Sequence, residues 1–386
     1  MLSGIRVIDL GAFITGPLAA MMLADIGADV IKVEAPGGDP FRRGHGTSYG
    51  PTFAAYNRNK RSIVLDLATE TGRTRLLRLL DRSDVLTDNF RPAVLEQAGL
   101  RPELLRARNP RLIHCSITGF GDIGPYRHRP AFDAVGQALS GISSLMMDPS
   151  EPKSFGPTIT DNVTGMYACY GILGALVERT SSGRGRRIEV NMLEASMAFI
   201  QDAYTNFTRA GLPGGPFARV ARSQSFAFRC ADGRLLAIHL STREKFWQEL
   251  TGVLASAELA ADPRFTTHQL RVQHYHPLEA VLAEHFRTRE RAEWIAHLAP
   301  TDVPFAPVND IPEALQDPQV SALGTLWEAE HPTEGRVVSI HCPLLVDGAR
   351  PPSAGRAPPV IGEHTADVLA EIETCSATVR APDAAE

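Results

Sequence analysis

Among the 386 residues, the side chain best placed to do chemistry is one carboxylate, Asp161. It stands at the threshold of an apolar, helix-like run, residues 155–177, entered through Gly156-Pro157 and the threonines Thr158 and Thr160. A carboxylate there could act as a nucleophile or a general base. Asp is also a favoured helix cap, because first-turn N–H groups stabilise negative charge. Residue type alone favours the cap, so the neighbourhood has to decide. From Val163 onward the run is rich in Ala, Leu, Ile, Met and Tyr, with Gly165, Gly171 and Gly174 where a second backbone could approach, which predicts a buried helix.

Other chemical signatures are weaker. Cys115, Cys169, Cys230, Cys342 and Cys375 form an odd set without a C-x-x-C pair, which suggests neither a disulfide framework nor zinc. Cys115 and Cys169 sit in apolar runs and read as buried free thiols. His274 and His276 lack a carboxylate or third ligand close by, so no metal is implied. GFGDIG, residues 119–124, has dinucleotide-motif spacing, but Pro125 and a polar stretch follow where a helix should start. It reads as a turn-rich loop over a pocket, not a nicotinamide site.

The elements that must position Asp161 follow from periodicity. Residues 5–10 predict a strand, Gly16-Pro17 opens a helix that runs to Ile26, and 28–34 predict a second strand. Pro17 suits a first helical turn and Gly27 a helix end. The unit repeats with strands over 62–67, 84–88 and 112–117, a helix over 69–80, and Asn89-Phe90-Arg91-Pro92 following the fourth strand. Residues 133–139 read as a helix, 140–148 as a small-residue loop, 188–191 as a strand and 194–210 as one long helix. The fold class expected is therefore α/β: a large domain with a mostly parallel sheet and helices on both faces, whose ligand loops lie beyond the carboxyl ends of the strands. Boundaries are predicted at 1–200 for this domain, 201–224 for a linker holding the breaker cluster 211–216, and 225–325 for a smaller α+β domain. A segment over 326–375 would return to the first domain, and the polar tail 376–386 predicts disorder.

Composition bounds the function classes. The chain is 44% hydrophobic and 22% charged, with a formal net charge of -5. An acidic balance argues against generic nucleic-acid binding, and the N-terminal residues show neither a basic leader nor an apolar span. A cytoplasmic location is expected.

Taken together, GIRVIDLGAFITGP, GADVIKVEAPGGDPFR, NRNKRSIVLDL, DVLTDNFRPAVLEQAGL, the GFGDIGP loop, FDAVGQALSG, TDNVTGMYACYGILGAL, SGRGRRIEVNMLEA and ADPRF resemble, in order and over almost the whole chain, the class III CoA-transferases. That family includes formyl-CoA and carnitine-CoA transferases and alpha-methylacyl-CoA racemases. The resemblance implies a Rossmann-like large domain with a smaller α+β domain, two interlocked subunits in a homodimer, Asp161 as nucleophile, and a glycine flap at Gly214 and Gly215, shorter than in the formyl-CoA transferases. It implies CoA contacts at Ile14, Thr15, Leu65, Ala68, Asn89, Phe90, Arg91 and Phe132, and suggests Arg42, Arg58, Lys60 and Arg61 as partners for the phosphates. Gln97 departs from the Arg that many members carry. The racemases place a His where this chain has Phe132, although His128 lies nearby. The expected activity is transfer of CoA from an acyl-CoA, with succinyl-CoA one candidate donor, to a carboxylic acid without a metal or redox cofactor. An acyl-CoA racemase and a non-catalytic CoA-binding protein are the alternatives.

Overall fold

A computed structural model describes residues 1–43, 49–154, 156–351 and 355–374. The expected disordered tail, 376–386, lies outside the described residues, as do Phe155 and part of the proline-rich connection after Pro351.

Two compact units divide the chain: residues 1–142, 156–201 and 325 onward in one, and 143–155 and 202–324 in the other. The first is built on a six-stranded parallel sheet: β1 (Arg6–Asp9), β2 (Asp29–Glu34), β3 (Lys60–Val64), β4 (Val85–Asp88), β5 (Ile113–Thr118) and β6 (Arg187–Asn191). The order β3-β2-β1-β4-β5-β6 is that of doubly wound nucleotide-binding sheets, with its reversal between β1 and β4. In register, Val7 of β1 faces Val30 of β2 on one side and Val85 of β4 on the other.

Strands covered on both faces are apolar at successive positions, since alternate side chains enter opposite cores. Val7, Val85, Ile113 and Cys115 pack with Ala19, Ala20 and Leu23 and with Ala168, Cys169 and Ile172. Ile8, Ile31, Ile63 and Leu86 pack with Leu76, Leu79, Val368 and Ile372 on the other face. Helix Thr365–Thr374 thereby returns Val368 and Ile372 to this core. Cys115 and Cys169 are buried free thiols, both raised well above the ordinary thiol value, by burial first.

Several elements depart from the periodicity. Helices Pro51–Tyr56, Pro92–Gln97 and Pro102–Arg108 each start on a proline whose missing N–H costs nothing at that position. Residues 140–148 contain a short helix, Ile142–Met146, rather than only a loop. The single helix expected over 194–210 is two, Met192–Phe199 and Gln201–Ala210, and Asn191 caps the first by accepting from Glu194 N–H at 2.8 Å. In the first unit β10 (Leu326–His331) and β11 (Gly335–Ile340) form an antiparallel hairpin, with Trp327 opposite Ser339.

The second unit has an antiparallel sheet of β7 (Ser225–Arg229), β8 (Leu235–His239) and β9 (Phe305–Pro307). Helices Glu244–Val253, Tyr275–Phe286 and Arg291–Leu298 cover it. Its core is aromatic, with Phe228 stacked on Phe286 at 4.6 Å between centroids.

Candidate active site

The loop after β1 is shaped by contacts that leave no room for side chains. A Cβ on Gly11 would sit 2.8 Å from Pro17 and 2.9 Å from the Gly16 Cα, so the two ends of the loop close on each other. Between them Phe13 is held at φ 63°, a left-handed conformation that a bulky residue adopts only under constraint. Asn89, after β4, fastens the loop: its Oδ1 accepts from Ala12 N–H at 2.9 Å, and its Nδ2 donates to the Ala12 carbonyl at 2.7 Å and to Thr15 Oγ1 at 3.1 Å. The two loops at the point where strand order reverses are thus tied into one surface.

Asp161 is brought to that surface by two glycines. It lies in the first turn of helix Ile159–Ser182, which packs against the helix Thr15–Asp25 at Gly165, where a Cβ would be 2.8 Å from the Thr15 carbonyl. Helix Asp133–Leu139 packs on the Asp161 helix at Gly136, whose missing Cβ would meet Thr160 at 2.5 Å. Of the three glycines expected to admit a neighbour, Gly165 meets Thr15, Gly171 meets Ile188, and Gly174 faces open space.

The cleft so formed, of about 220 Å³, is lined by Phe13, Ile14, Thr15, Asn89, Phe90, Arg91, Ile117, Thr118, Gly119, Arg127, Arg129, Pro130, Ala131, Phe132, Asp161 and Met192. Asp161 is its only carboxylate among the described lining residues, facing three arginines and a largely apolar wall. Phe13 contacts Phe132 edge-to-face at 6.0 Å and Phe41 at 5.3 Å.

Asp161 does not cap its own helix. The N-cap position is Thr158, which makes no side-chain cap bond, and the Asp161 backbone N–H donates to Asp133 Oδ1 at 3.1 Å, so Asp133 supplies the anion at this helix start. Asp133 is held from its other oxygen by Gln137 Nε2 at 2.5 Å. Burial, and then the charge of Asp133, push the Asp161 carboxyl up to about 6. Burial and a neighbouring anion thus outweigh the first-turn dipole: the carboxyl is harder to ionise than an ordinary aspartate, yet stays mostly ionised at neutral pH.

The other expected site residues divide by where the chain puts them. Ile14, Thr15, Asn89, Phe90, Arg91 and Phe132 meet in the cleft with Asp161. Arg42, Arg58 and Lys60 do not; their reading as phosphate partners is corrected because each is buried against an internal carboxylate. Arg42 holds Glu34 through both its Nε and Nη2 at 2.6 Å, Arg58 holds Asp25 at 2.5 Å, and Lys60 holds Asp9 at 2.9 Å. Arg61 pairs with Asp29 and Glu371. Leu65 packs in the core and Ala68 is exposed beyond β3, neither lining the cleft. Gln97 ends the helix Pro92–Gln97, also outside the lining, and His128 Nε2 accepts from Arg127 Nε at 2.8 Å. Gly214 and Gly215 belong to the second unit, where a Cβ on Gly214 would meet Leu145 at 2.8 Å. The sequence reading missed Phe13, Arg127, Arg129 and the part played by Asp133. The basic loop Arg127-His128-Arg129 and the Asp opening a helix were its available signals.

The cleft thus lies where the strand order of the sheet reverses, with Asp161 and three arginines among its described lining residues. The model of CoA-transferase family III matches residues 2–365, and the chain belongs to that family. It is 35% identical to the succinate–glutarate CoA-transferase of Agrobacterium fabrum, covering 98% of this chain and 97% of that protein. It is also 35% identical to the succinyl-CoA–L-malate CoA-transferase beta subunit of Chloroflexus aurantiacus, covering 96% and 94%. Among solved structures, a CaiB/BaiF family protein from Brucella suis superposes with a TM-score of 0.85 at 33% identity, covering 96% of this chain and 98% of that one.

Proposed function

We propose that this enzyme moves CoA from an acyl-CoA donor to a carboxylic acid with Asp161 as covalent carrier. The observation that carries the reading is Asp161 as the one carboxylate among the described residues of a cleft that also holds three arginines. Its Oδ attacks the thioester carbonyl, the C–S bond breaks and CoA thiolate departs, leaving a mixed anhydride. The thiolate then attacks the Asp161 carbonyl, releasing the donor acid and forming an aspartyl-CoA thioester. The acceptor carboxylate attacks that thioester, giving a second anhydride and thiolate. Attack of the thiolate on the acceptor's carbonyl yields the new acyl-CoA and restores Asp161. No electrons are exchanged and no water is consumed, so the sequence of steps calls for no redox cofactor.

Arg91, Arg127 and Arg129 supply the charge complement to the phosphates of CoA, and Phe90 and Phe132 an apolar surface for its adenine or pantetheine. The succinate and succinyl-CoA named for the relatives make a dicarboxylic acyl group the first donor to test. Racemisation needs a second acid/base opposite Asp161. Phe132 cannot exchange a proton, and His128 is not among the lining residues. We place the enzyme in a homodimer, supported by an exposed apolar stripe of Met166, Tyr170 and Val177 along the Asp161 helix.

Incubation with succinyl-CoA and hydroxylamine, followed by peptide mass spectrometry, is expected to convert Asp161 to a hydroxamate. An unmodified Asp161 peptide in an enzyme that still transfers CoA would sink the covalent mechanism. Rapid alpha-deuteration of a 2-methylacyl-CoA in deuterated water, dependent on Asp161, would favour the racemase instead.

A further inference from the structure

Beneath the cleft loop lies a set of charges that the proposed reaction does not touch. Asp9, the last residue of β1, Lys32 in β2 and Lys60, the first residue of β3, are fully or almost fully buried on three adjacent strands. Lys60 Nζ has three N–H groups and three acceptors: Asp9 Oδ2 at 2.9 Å, Asn57 Oδ1 at 2.8 Å and the Pro17 carbonyl at 2.8 Å. Asp9 Oδ1 accepts from Gly11 N–H at 2.8 Å and from Thr87 Oγ1 at 3.3 Å. Lys32 Nζ donates to the Gly11 carbonyl at 2.7 Å and pairs with Asp39 at 3.0 Å. Both ends of the loop, Gly11 and Pro17, are thus gripped from below by ionised side chains, while Asn89 grips its middle from the side.

We propose that Asp9, Lys32 and Lys60 are positioning residues that hold the loop after β1 preformed, so that Phe13, Ile14 and Thr15 meet the acyl-CoA without rearrangement. A hydrophobic core needs no buried ions here, and such ions cost desolvation that a neutral packing would avoid. What they supply is directional: donors and an acceptor aimed at backbone groups of a loop whose Phe13 is left-handed. The clamp also titrates. Burial, opposed by Asp9, pushes Lys60 down to about 8, while Asp9 stays below its ordinary value because Lys60 and Lys32 outweigh its own burial. The groups facing Lys60 are Asp9 from β1, Lys32 from β2, and Asp39 and Asn57 from the connections flanking them. A neutral amine has two N–H groups for three acceptors, so one anchor is released as Lys60 deprotonates.

The inference rests on the cleft being the CoA site, and the test separates the two. The probe is desulfo-CoA, which has no thiol to titrate and cannot acylate Asp161, bound to the full chain in isothermal titration calorimetry. Lys60→Met alone strands the Asp9 charge and endangers folding, so the variant is Asp9→Asn with Lys60→Met, which removes both charges together. It is expected to unfold cooperatively, as wild type does, yet bind desulfo-CoA about tenfold more weakly, the loop populating its binding conformation about one-tenth of the time. Wild-type affinity is expected to fall as pH rises through 8, and the double variant to lack that fall. Arg91→Ala is the control for the site. If it weakens binding while the folded double variant binds like wild type, the positioning role is overturned; the same alkaline fall in both proteins overturns it too. If Arg91→Ala leaves affinity unchanged, the cleft reading itself fails.

Discussion

At the scale of single residues, the chemistry turns on how much it costs to ionise Asp161. Its carboxyl lies at about 6, first through burial and then through Asp133. The attacking form is the carboxylate, so kcat/KM is expected to fall as pH drops through 6, and Asp133→Asn, which removes the second cause, to move that limb to lower pH. An unshifted limb in the Asp133 variant, followed by CoA exchange into a labelled acid, would remove Asp133 from the account. The same shift bears on stability with a fixed sign. The folded-state value is above the ordinary 3.8, so below about pH 4 both states are protonated and ionisation costs the fold nothing, whereas above about pH 6 the full cost is present. Asp161→Asn is therefore expected to abolish transfer and to stabilise the protein at pH 8 by about 1 kcal/mol after allowing for solvent screening at a half-buried site. The gain fades as pH falls from about 6 to about 4. Calorimetry showing the variant less stable at pH 8 would return Asp161 to the role of a helix cap.

At the scale of elements, the site depends on two helices set edge to edge on the Thr15–Asp25 and Asp161 axes. Gly165 allows the Asp161 helix to touch the Thr15 carbonyl, and a Cβ there would be 2.8 Å from it, against backbone that cannot swing aside. Gly165→Ala is expected to push the helices apart, destabilise the chain by about 1–3 kcal/mol and lower kcat/KM with the loop and the carboxylate out of register. Urea unfolding and transfer assays read both effects. Unchanged stability and activity would mean that the contact yields freely. The helix Asp133–Leu139 shares this logic, since Gly136 lets Asp133 reach the Asp161 N–H.

At the scale of the whole molecule, the Asp161 helix presents two faces with opposite needs. Ala168, Cys169 and Ile172 fill the core, while Met166, Tyr170 and Val177 are 55%, 74% and 71% exposed. Large side chains left so open along one stripe lose the hydrophobic stabilisation that a second copy would give them. Sedimentation is expected to show a dimer that persists on dilution, and Tyr170→Asp with Val177→Asp to weaken it or render the chain insoluble. A compact, active wild-type monomer would overturn the interlocked arrangement.

The parallel sheet was legible in the sequence because strands buried on both faces must be apolar at successive positions, as in residues 5–10 and 112–117, and because Gly27 and Pro17 bound a helix by backbone geometry alone. Asp161, Asn89-Phe90-Arg91 and Ile14-Thr15 were legible through local motifs that recur in a family. Hidden from any local reading was what each charge faces. Lys60, Arg58 and Arg42 look like surface cations in a run of NRNKR or DPFRR, yet each meets a carboxylate from another strand or helix, Asp9, Asp25 or Glu34. Asp133 and Asp161, 28 residues apart, become one electrostatic unit only because Gly136 and Thr160 touch. Local propensity settles which backbone a segment adopts. Ionisation and pairing depend on burial and on partners distant in sequence, and those exist only once the chain has folded.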